Sequence, residues 1–394
     1  MFLLFCLEPE RNGQTTTLPP SSHTSNHKEE EEEAGSTVTE IPSVNPTPIA
    51  NPELTAADYY FDSYSHISIH EEMLKDDVRT LAYMHAIEDN SHLFRGKVVL
   101  DVGCGTGILS MFCARAGAAQ VYAIDCSSII SHTQGIIEDN GLQEDITLIQ
   151  GKVEEVELPV DKVDIIVSEW MGYFLLYESM LSTVLFARDK WLKQGGLIFP
   201  DKAVLYLAAI SETSLRQDKL TWWEQVYGFD MSSLSSLVLQ EPFITTLQTS
   251  SLCSPPCPIL RLDLQTCPSI PNILSSSSPN APPNVMCFQS DCTFRLLKNE
   301  FITGFVGYFE CVFSHCHKPI YISTGPHAPY THWKQTIFHL EDVIVGCSGE
   351  EIQVKVTVHP NTQNERDLDI DMDIQFEGQC HQGRVHKRQL YRLR

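Results

Sequence analysis

The sequence predicts an α/β chain: an open parallel sheet wrapped by helices, followed by an antiparallel β-barrel or sandwich that carries a helical arm. Three observations predict it. A buried apolar strand over residues 97–102 runs into a glycine turn, Gly103-Cys104-Gly105-Thr106-Gly107, and on into a helical pattern. Short apolar strands and amphipathic helical stretches then alternate as far as Pro200, the pattern of parallel strands joined by helical crossovers. Beyond Pro200 the strands alternate apolar and polar residues, as in an antiparallel sheet with one wet face.

Taken in order, residues 1–57 are rich in Pro, Ser, Thr and Asn, carry a run of glutamates over 29–33, and show no sustained hydrophobic period. They read as a disordered acidic tail. Residues 71–86 read as one amphipathic helix, with Met73, Leu74, Val78, Leu81 and Tyr83 among its apolar positions. After the 97–102 strand come a helix over 108–116, a strand over 120–124, a helix over 129–139 and strands over 146–149 and 163–167. A helix over 178–192 completes a first domain at 58–200. The second domain, 201–394, shows strands over 204–210, 301–313, 352–358 and 368–376. An aromatic, helical-looking excursion within 212–245 contains Trp222-Trp223 and Val226-Tyr227, and a Ser/Pro-rich stretch over 249–284 reads as a surface insertion around a short apolar piece.

Charge and cysteines narrow the function. A formal net charge of −24 argues against nucleic acid as the main partner, since phosphate binding needs a basic face; a cationic protein or peptide fits better. Nowhere do eighteen uncharged apolar residues run together, and the apolar opening of the chain lacks the cationic start of a signal peptide, so an intracellular protein without a membrane span is expected. The thirteen cysteines are odd in number and scattered, so reduced thiols are expected. Cys253 with Cys257, or Cys311 with Cys316 and His317, lack the Cys-x-x-Cys spacing of a metal site, and no metal is expected.

Small residues after the 97–102 strand let the backbone turn sharply and approach a nucleotide-like ligand closely. The spacing G-x-G-x-G, preceded by Asp101, differs from the G-x-G-x-x-G of dinucleotide folds and favours S-adenosyl-L-methionine. Gly103 and Gly105 form the turn. Asp125, closing the second strand, suits a pair of ribose hydroxyls or, alternatively, the cap of the next helix. The segment Gly151-Lys152-Val153-Glu154 would bring backbone and Glu154 near an adenine amino group.

The strand over 163–167 leads into Ser168-Glu169-Trp170-Met171-Gly172 and on to Tyr177-Glu178-Ser179-Met180, so two carboxylates flank an aromatic loop at the carboxyl edge of the sheet. A planar guanidinium can bridge them, because its fork of donors pairs with carboxylates. Deprotonating arginine beforehand at pH 7 would cost about 9 kcal/mol, so the cation binds intact. It must then meet a sulfonium, and two unit charges about 4 Å apart repel by roughly 4 kcal/mol at an effective dielectric constant of 20. Two carboxylates cancel those two charges. The departing proton is expected to leave through His332 to Asp76 or to water. Alternatively, Glu169 caps a turn and Glu178 begins a helix.

Together the glycine turn, Tyr60-Phe61-Asp62-Ser63-Tyr64, His70-Glu71-Glu72-Met73-Leu74-Lys75-Asp76, Ser168-Glu169-Trp170-Met171-Gly172 and Thr331-His332-Trp333 resemble type I protein arginine methyltransferases over about 58–394. The resemblance implies a Rossmann-like S-adenosylmethionine-binding domain and a β-barrel domain with a dimerisation arm. It also implies monomethyl- and asymmetric dimethylarginine as products, Gly-Arg-rich segments and histone tails as substrates, a homodimer, and work in nucleus and cytoplasm. By that resemblance Phe61 and Tyr64 belong to a segment folded over the cofactor, while His70 and Arg79 hold it, Arg79 through the methionine carboxylate. Met73 and Met180 then line the substrate pocket with Tyr64, and Trp333 with His332 closes it from the barrel side. Asp125 stands where the family usually has Glu, Ser68 where it has Gly, and the tail and the Ser/Pro-rich stretch lack a counterpart. Rival readings are a catalytically weak scaffold, against which the complete motif set argues, and a methyltransferase for small molecules or nucleic acids, which does not need two carboxylates awaiting a cation.

Overall fold

The computed structural model describes residues 66–268 and 285–394. The expected acidic tail, Phe61, Tyr64 and part of the Ser/Pro-rich stretch lie outside the described residues.

Where one helix is expected over 71–86, two form: α1 (Ile67–Lys75) and α2 (Asp77–Glu88). Asp76 separates them. Its backbone is extended and its side chain accepts a hydrogen bond from the Arg79 N–H, so a local cap outcompetes continuation of the helix. After the single turn α3 (Ser91–Phe94) comes a Rossmann-like unit. It runs β1 (Val98–Val102), α4 (Ile108–Arg115), β2 (Gln120–Asp125), α5 (Ile130–Asp139), β3 (Ile146–Gln150), β4 (Val163–Val167), α6 (Leu181–Trp191) and β5 (Leu192–Phe199). All five strands are parallel, in the order β3-β2-β1-β4-β5. Helices cover both faces, which is why β1 and β4 are near-continuous apolar runs. The order reverses between β1 and β4, and their carboxyl ends form the crevice where ligands of such sheets bind.

The C-terminal half forms two antiparallel sheets. The first contains β6 (Lys202–Ile210), β7 (Phe243–Thr245), β8 (Cys257–Asp263), β10 (Glu300–Phe313), β11 (Ile320–Ser323) and β12 (Gln335–Gly346). The second contains β9 (Phe288–Arg295), β13 (Glu351–Pro360), β14 (Leu368–Phe376) and β15 (Val385–Leu393). Strand β8 corrects the expected insertion: it pairs with β6, and Cys253 and Leu264 on either side of it are fully buried, because its apolar alternation fits the sheet face.

Between β6 and β7 the chain leaves as α7 (Thr213–Leu220), turns through Thr221–Glu224 and Ser232–Leu234, and returns along α8 (Ser235–Gln240). Arg216 anchors this arm by donating to the Leu340 and Glu341 carbonyls. Its tip is apolar and open, with Tyr227 95% exposed and Phe229 69%. Among the described residues no helix is long and apolar enough to cross a membrane.

Candidate active site

The glycine turn is fixed from β2. Both Gly103 and Cys104 donate their N–H to the Ile124 carbonyl, at 2.9 and 3.0 Å. Gly103 has φ +75°, a left-handed conformation that favours glycine, and a Cβ there would meet the Met180 side chain. Gly105 N–H donates to Asp125 Oδ2 at 2.8 Å, and the Thr133 hydroxyl donates to the Gly105 carbonyl at 2.6 Å. Asp125 Oδ1 accepts from both the N–H and the hydroxyl of Ser127. Asp125 does not cap the next helix, whose N-cap position is Ile129 and carries no side-chain cap. It holds the glycine turn and the Ser127 turn that precedes the helix, and about one of its four acceptor positions is left for a ligand hydroxyl, where the sequence suggested two.

Asp101 lies beneath the turn, fully buried, with Oδ2 accepting from the Ser110 hydroxyl at 2.6 Å and Oδ1 without a partner. Burial pushes its carboxyl up to about 7. His70, also buried, packs its ring against Gly105. After β3, Gly151 N–H donates to the Asp125 carbonyl at 3.0 Å, Val153 turns inward and Glu154 faces solvent, accepting from the Thr183 hydroxyl. A turn cleared of side chains, an orphaned acid oxygen below it and a carboxylate at the neighbouring strand end fit the nucleoside of S-adenosylmethionine.

At the end of β4 the Ser168 hydroxyl donates to the Val102 carbonyl, and the Tyr83 hydroxyl to the Ser168 carbonyl, each at 2.8 Å. These bonds tie the two strand ends and α2 into one frame. Glu169 follows, its side chain 8% exposed, with Oε2 3.0 Å from Arg79 Nε and Oε1 buried without a partner. Arg79 also donates from Nη1 to the Met73 carbonyl at 3.2 Å. Sequence and resemblance gave Arg79 to the cofactor and Glu169 to the substrate; the structure brings the two side chains together as a buried ion pair.

The loop from Glu169 to Met180 is clasped at its ends, where Met180 N–H donates to the Trp170 carbonyl at 2.9 Å. In sequence Glu169 precedes the clasped loop and Glu178 lies within it. Phe174, Leu175 and Glu178 take φ of 50°, 67° and 54°, left-handed conformations costing on the order of 1–3 kcal/mol each. Gly172 makes the shape attainable, since a Cβ there would lie 1.7 Å from the Tyr177 carbonyl oxygen. Glu178 does not begin a helix; Met180 caps α6, and Glu178 N–H donates across to the Arg366 carbonyl at 3.1 Å. Burial raises the Glu178 carboxyl above the ordinary glutamate range, with Arg366 opposing and Asp367 adding to the shift.

From the second half, His332 presents both its N–H and its ring Nδ1 to Asp76 Oδ2, at 2.8 and 2.7 Å. Burial works against Asp76, yet the bonds from His332 and the Arg79 N–H hold its carboxyl below the usual range. The indole of Trp333 is buried and donates to the Met171 carbonyl at 3.1 Å, bracing the acid loop from behind where the resemblance has it close the pocket. Met73 and Met180 are half-buried, Met180 against Gly103. Among the described residues no three His, Cys, Asp or Glu side chains are grouped to hold a metal.

Sequence reasoning missed Ser110, Thr133 and Arg366, and gave no role to Ser168 within its motif. The first two are hydroxyls on buried helix faces, a signal visible in the periodicity; the Arg366 contact exists only in the folded chain.

With this geometry in hand, known proteins can be compared. Residues 99–196 match a methyltransferase domain, and residues 201–379 match the arginine methyltransferase oligomerization subdomain. Protein arginine N-methyltransferase 1 of Schizosaccharomyces pombe is 53% identical over 327 residues, 83% of this chain and 92% of the relative. Protein arginine N-methyltransferase 8-B of Danio rerio is 48% identical over 332 residues, 84% of this chain and 76% of the relative. The Trypanosoma brucei PRMT1 enzyme-prozyme heterotetrameric complex with AdoHcy matches with TM-score 0.77 and 40% identity, over 84% of this chain and 100% of that one. Arabidopsis thaliana protein arginine methyltransferase 10 matches with TM-score 0.74 and 27% identity, over 85% and 100%. Similarity of this depth, running through both halves of the chain and matched by the course of its backbone, means that the chain belongs to the protein arginine N-methyltransferase family.

Proposed function

We propose that this protein transfers methyl groups from S-adenosyl-L-methionine to the guanidino nitrogens of arginine in proteins, giving monomethyl- and asymmetric dimethylarginine as a type I enzyme. The observation that carries this reading is Glu169: a carboxylate nearly sealed from water, one oxygen on Arg79 and the other lacking any donor. A buried polar atom left unsatisfied costs on the order of 1–3 kcal/mol, more when charged, and a guanidinium N–H removes that cost.

S-adenosylmethionine, when bound, supplies an electrophilic methyl on a cationic sulfur. The glycine turn with Asp101, Asp125, Val153 and Glu154 holds the nucleoside side, and His70 with Arg79 the methionine side. Glu169 and Glu178 grip the substrate cation, offset its repulsion by the sulfonium and draw electron density toward the attacking nitrogen. Because Asp76 accepts from His332 Nδ1, the neutral ring offers Nε2 as the base that takes the departing proton.

Basic Gly-Arg-rich segments and histone tails fit an acidic protein of net charge −24, and work in nucleus and cytoplasm accords with substrates of this kind. The exposed Tyr227 and Phe229 of the arm suit burial against a second copy in a homodimer. Deleting 215–234 is expected to leave monomers whose cofactor affinity is about tenfold lower, roughly 1.4 kcal/mol, read by light scattering and calorimetric titration. A dimeric deletion with unchanged affinity would refute that role.

The activity is tested by incubating the protein with labelled S-adenosylmethionine and a Gly-Arg-rich peptide, then hydrolysing and identifying the product. Asymmetric dimethylarginine is expected. Methyl-lysine, or symmetric dimethylarginine, overturns the assignment.

A further inference from the structure

Two thiols lie outside the chemistry above. Cys347 follows β12 and Cys380 follows β14, 33 positions apart in sequence, yet their Sγ atoms are 2.8 Å apart. Neither belongs to the candidate active site.

Their alignment does not depend on the sulfurs. Glu350 holds both loops with one carboxylate: Oε2 accepts from the Cys347 N–H at 2.8 Å and Oε1 from the Gln379 N–H at 2.7 Å. The Cys347 turn is also fixed from outside, with Ser348 N–H donating to Asn299 Oδ1 and Gly349 N–H to the Leu296 carbonyl. On the other loop, His381 Nδ1 accepts from the Val345 N–H at 3.2 Å. A disulfide needs about 2.05 Å between sulfurs, so less than about 1 Å of further approach is required. Cys380 is exposed and Cys347 half-buried, whereas Cys104, Cys113, Cys253, Cys292, Cys311 and Cys316 are buried away from solutes.

We propose that Cys347 and Cys380 form a redox modification site, oxidised by a hydroperoxide to an intramolecular disulfide. The exposed Cys380 sulfur, as thiolate, attacks a peroxide oxygen; an S–O bond forms as the O–O bond breaks, and the released hydroxide leaves as water, giving the sulfenic acid. The Cys347 sulfur then attacks the Cys380 sulfur, forming S–S and breaking S–O, and the expelled hydroxide takes the Cys347 proton as a second water. Two thiols lose two electrons and one hydrogen peroxide gains them. The Cys347 thiol, held up to about 11 by its hydrogen bond with Cys380, keeps its proton until that second step.

The linked segment contains β13, β14 and the turn whose Arg366 carbonyl receives the Glu178 N–H. The bond closes the open end of the hairpin whose far end supports the acid loop.

The test uses the full chain, reduced, freed of reductant and treated with rising amounts of hydrogen peroxide, followed by non-reducing digestion and mass spectrometry with and without dimedone. A Cys347–Cys380 linked peptide, lighter by two hydrogens and reversed by dithiothreitol, is expected before Cys126, Cys267 or Cys287 is modified. Oxidised wild-type protein is expected to melt several degrees above the reduced form, a shift that Cys347→Ser lacks. In Cys347→Ser, dimedone traps the Cys380 sulfenic acid. Equal dimedone trapping of Cys380 in wild type and Cys347→Ser, or linkage of Cys380 only to another cysteine, overturns the proposal.

Discussion

Replacing Glu169 with glutamine is expected to lower methyl transfer about a thousandfold, with Glu178→Gln losing about a hundredfold. The first figure follows from the roughly 4 kcal/mol that separates a compensated from an uncompensated pair of cations about 4 Å apart at an effective dielectric constant of 20, which is about three decades in rate. Glu178 is assigned the smaller loss because Glu169 alone of the two has a buried carboxylate oxygen without a donor, the position a substrate N–H would fill. Stability separates chemistry from misfolding. Glu169→Gln leaves Arg79 without its buried anion and should cost about 3–5 kcal/mol, so its fold must be checked. Glu178→Gln should cost little or even stabilise, since a carboxyl whose folded pKa is raised weakens the native state once ionised and ceases to do so as pH falls. The same raised pKa sets the pH profile: the clamp works only when Glu178 is ionised, so kcat/KM should fall on acidification at a higher pH than an ordinary glutamate would dictate. Single-turnover transfer on variants shown by circular dichroism to be folded measures the effect. Undiminished rates in both glutamine variants would sink the assignment of the two acids.

Asp76→Ala is expected to cost about 3–5 kcal/mol of stability and to lower turnover about a hundredfold, the first through lost hydrogen bonds and the second through a misaligned His332. The side chain is 1% exposed and accepts from three donors, the Arg79 N–H, the His332 N–H and His332 Nδ1. Removing it deletes a helix cap, worth about 0.5–2 kcal/mol, and orphans two more donors at about 1–3 kcal/mol each. The sign with pH is fixed by the lowered carboxyl. Stability from this joint is complete above the ordinary aspartate pKa and is lost as pH falls through the depressed one. Wild type should therefore lose more stability than Asp76→Ala in strongly acidic solution, and urea midpoints compared at neutral and acid pH read the difference. A variant with an unchanged midpoint and full activity would remove Asp76 from the site's framework.

The sheet that carries the site was legible because each cue was local. The glycine turn after the first strand and the acids at the strand ends needed only spacing and the rule that ligands gather at the carboxyl edge. The departures arise where side-chain and backbone contacts of the folded chain, near or remote in sequence, compete with the local apolar period. A single helix over 71–86 satisfied the apolar period, but Asp76 is recruited by His332 from the far half of the chain and breaks it. Glu178 carries a helix former's identity yet sits at φ +54° because its N–H is claimed by the Arg366 carbonyl. Arg79 shows the limit for charged groups: residue type announces a cation, while its partner, Glu169, is chosen by desolvation in the folded core.

The hydrogen bond from Glu178 to Arg366 also bears on biosynthesis. On the ribosome the parallel sheet and both acids emerge long before residue 366, so a nascent chain already owns every reacting side chain from the first half while the loop bearing one of them still lacks its last anchor. Messages cut short ahead of that turn would encode the loop that bears Glu178 without the carbonyl that receives its N–H.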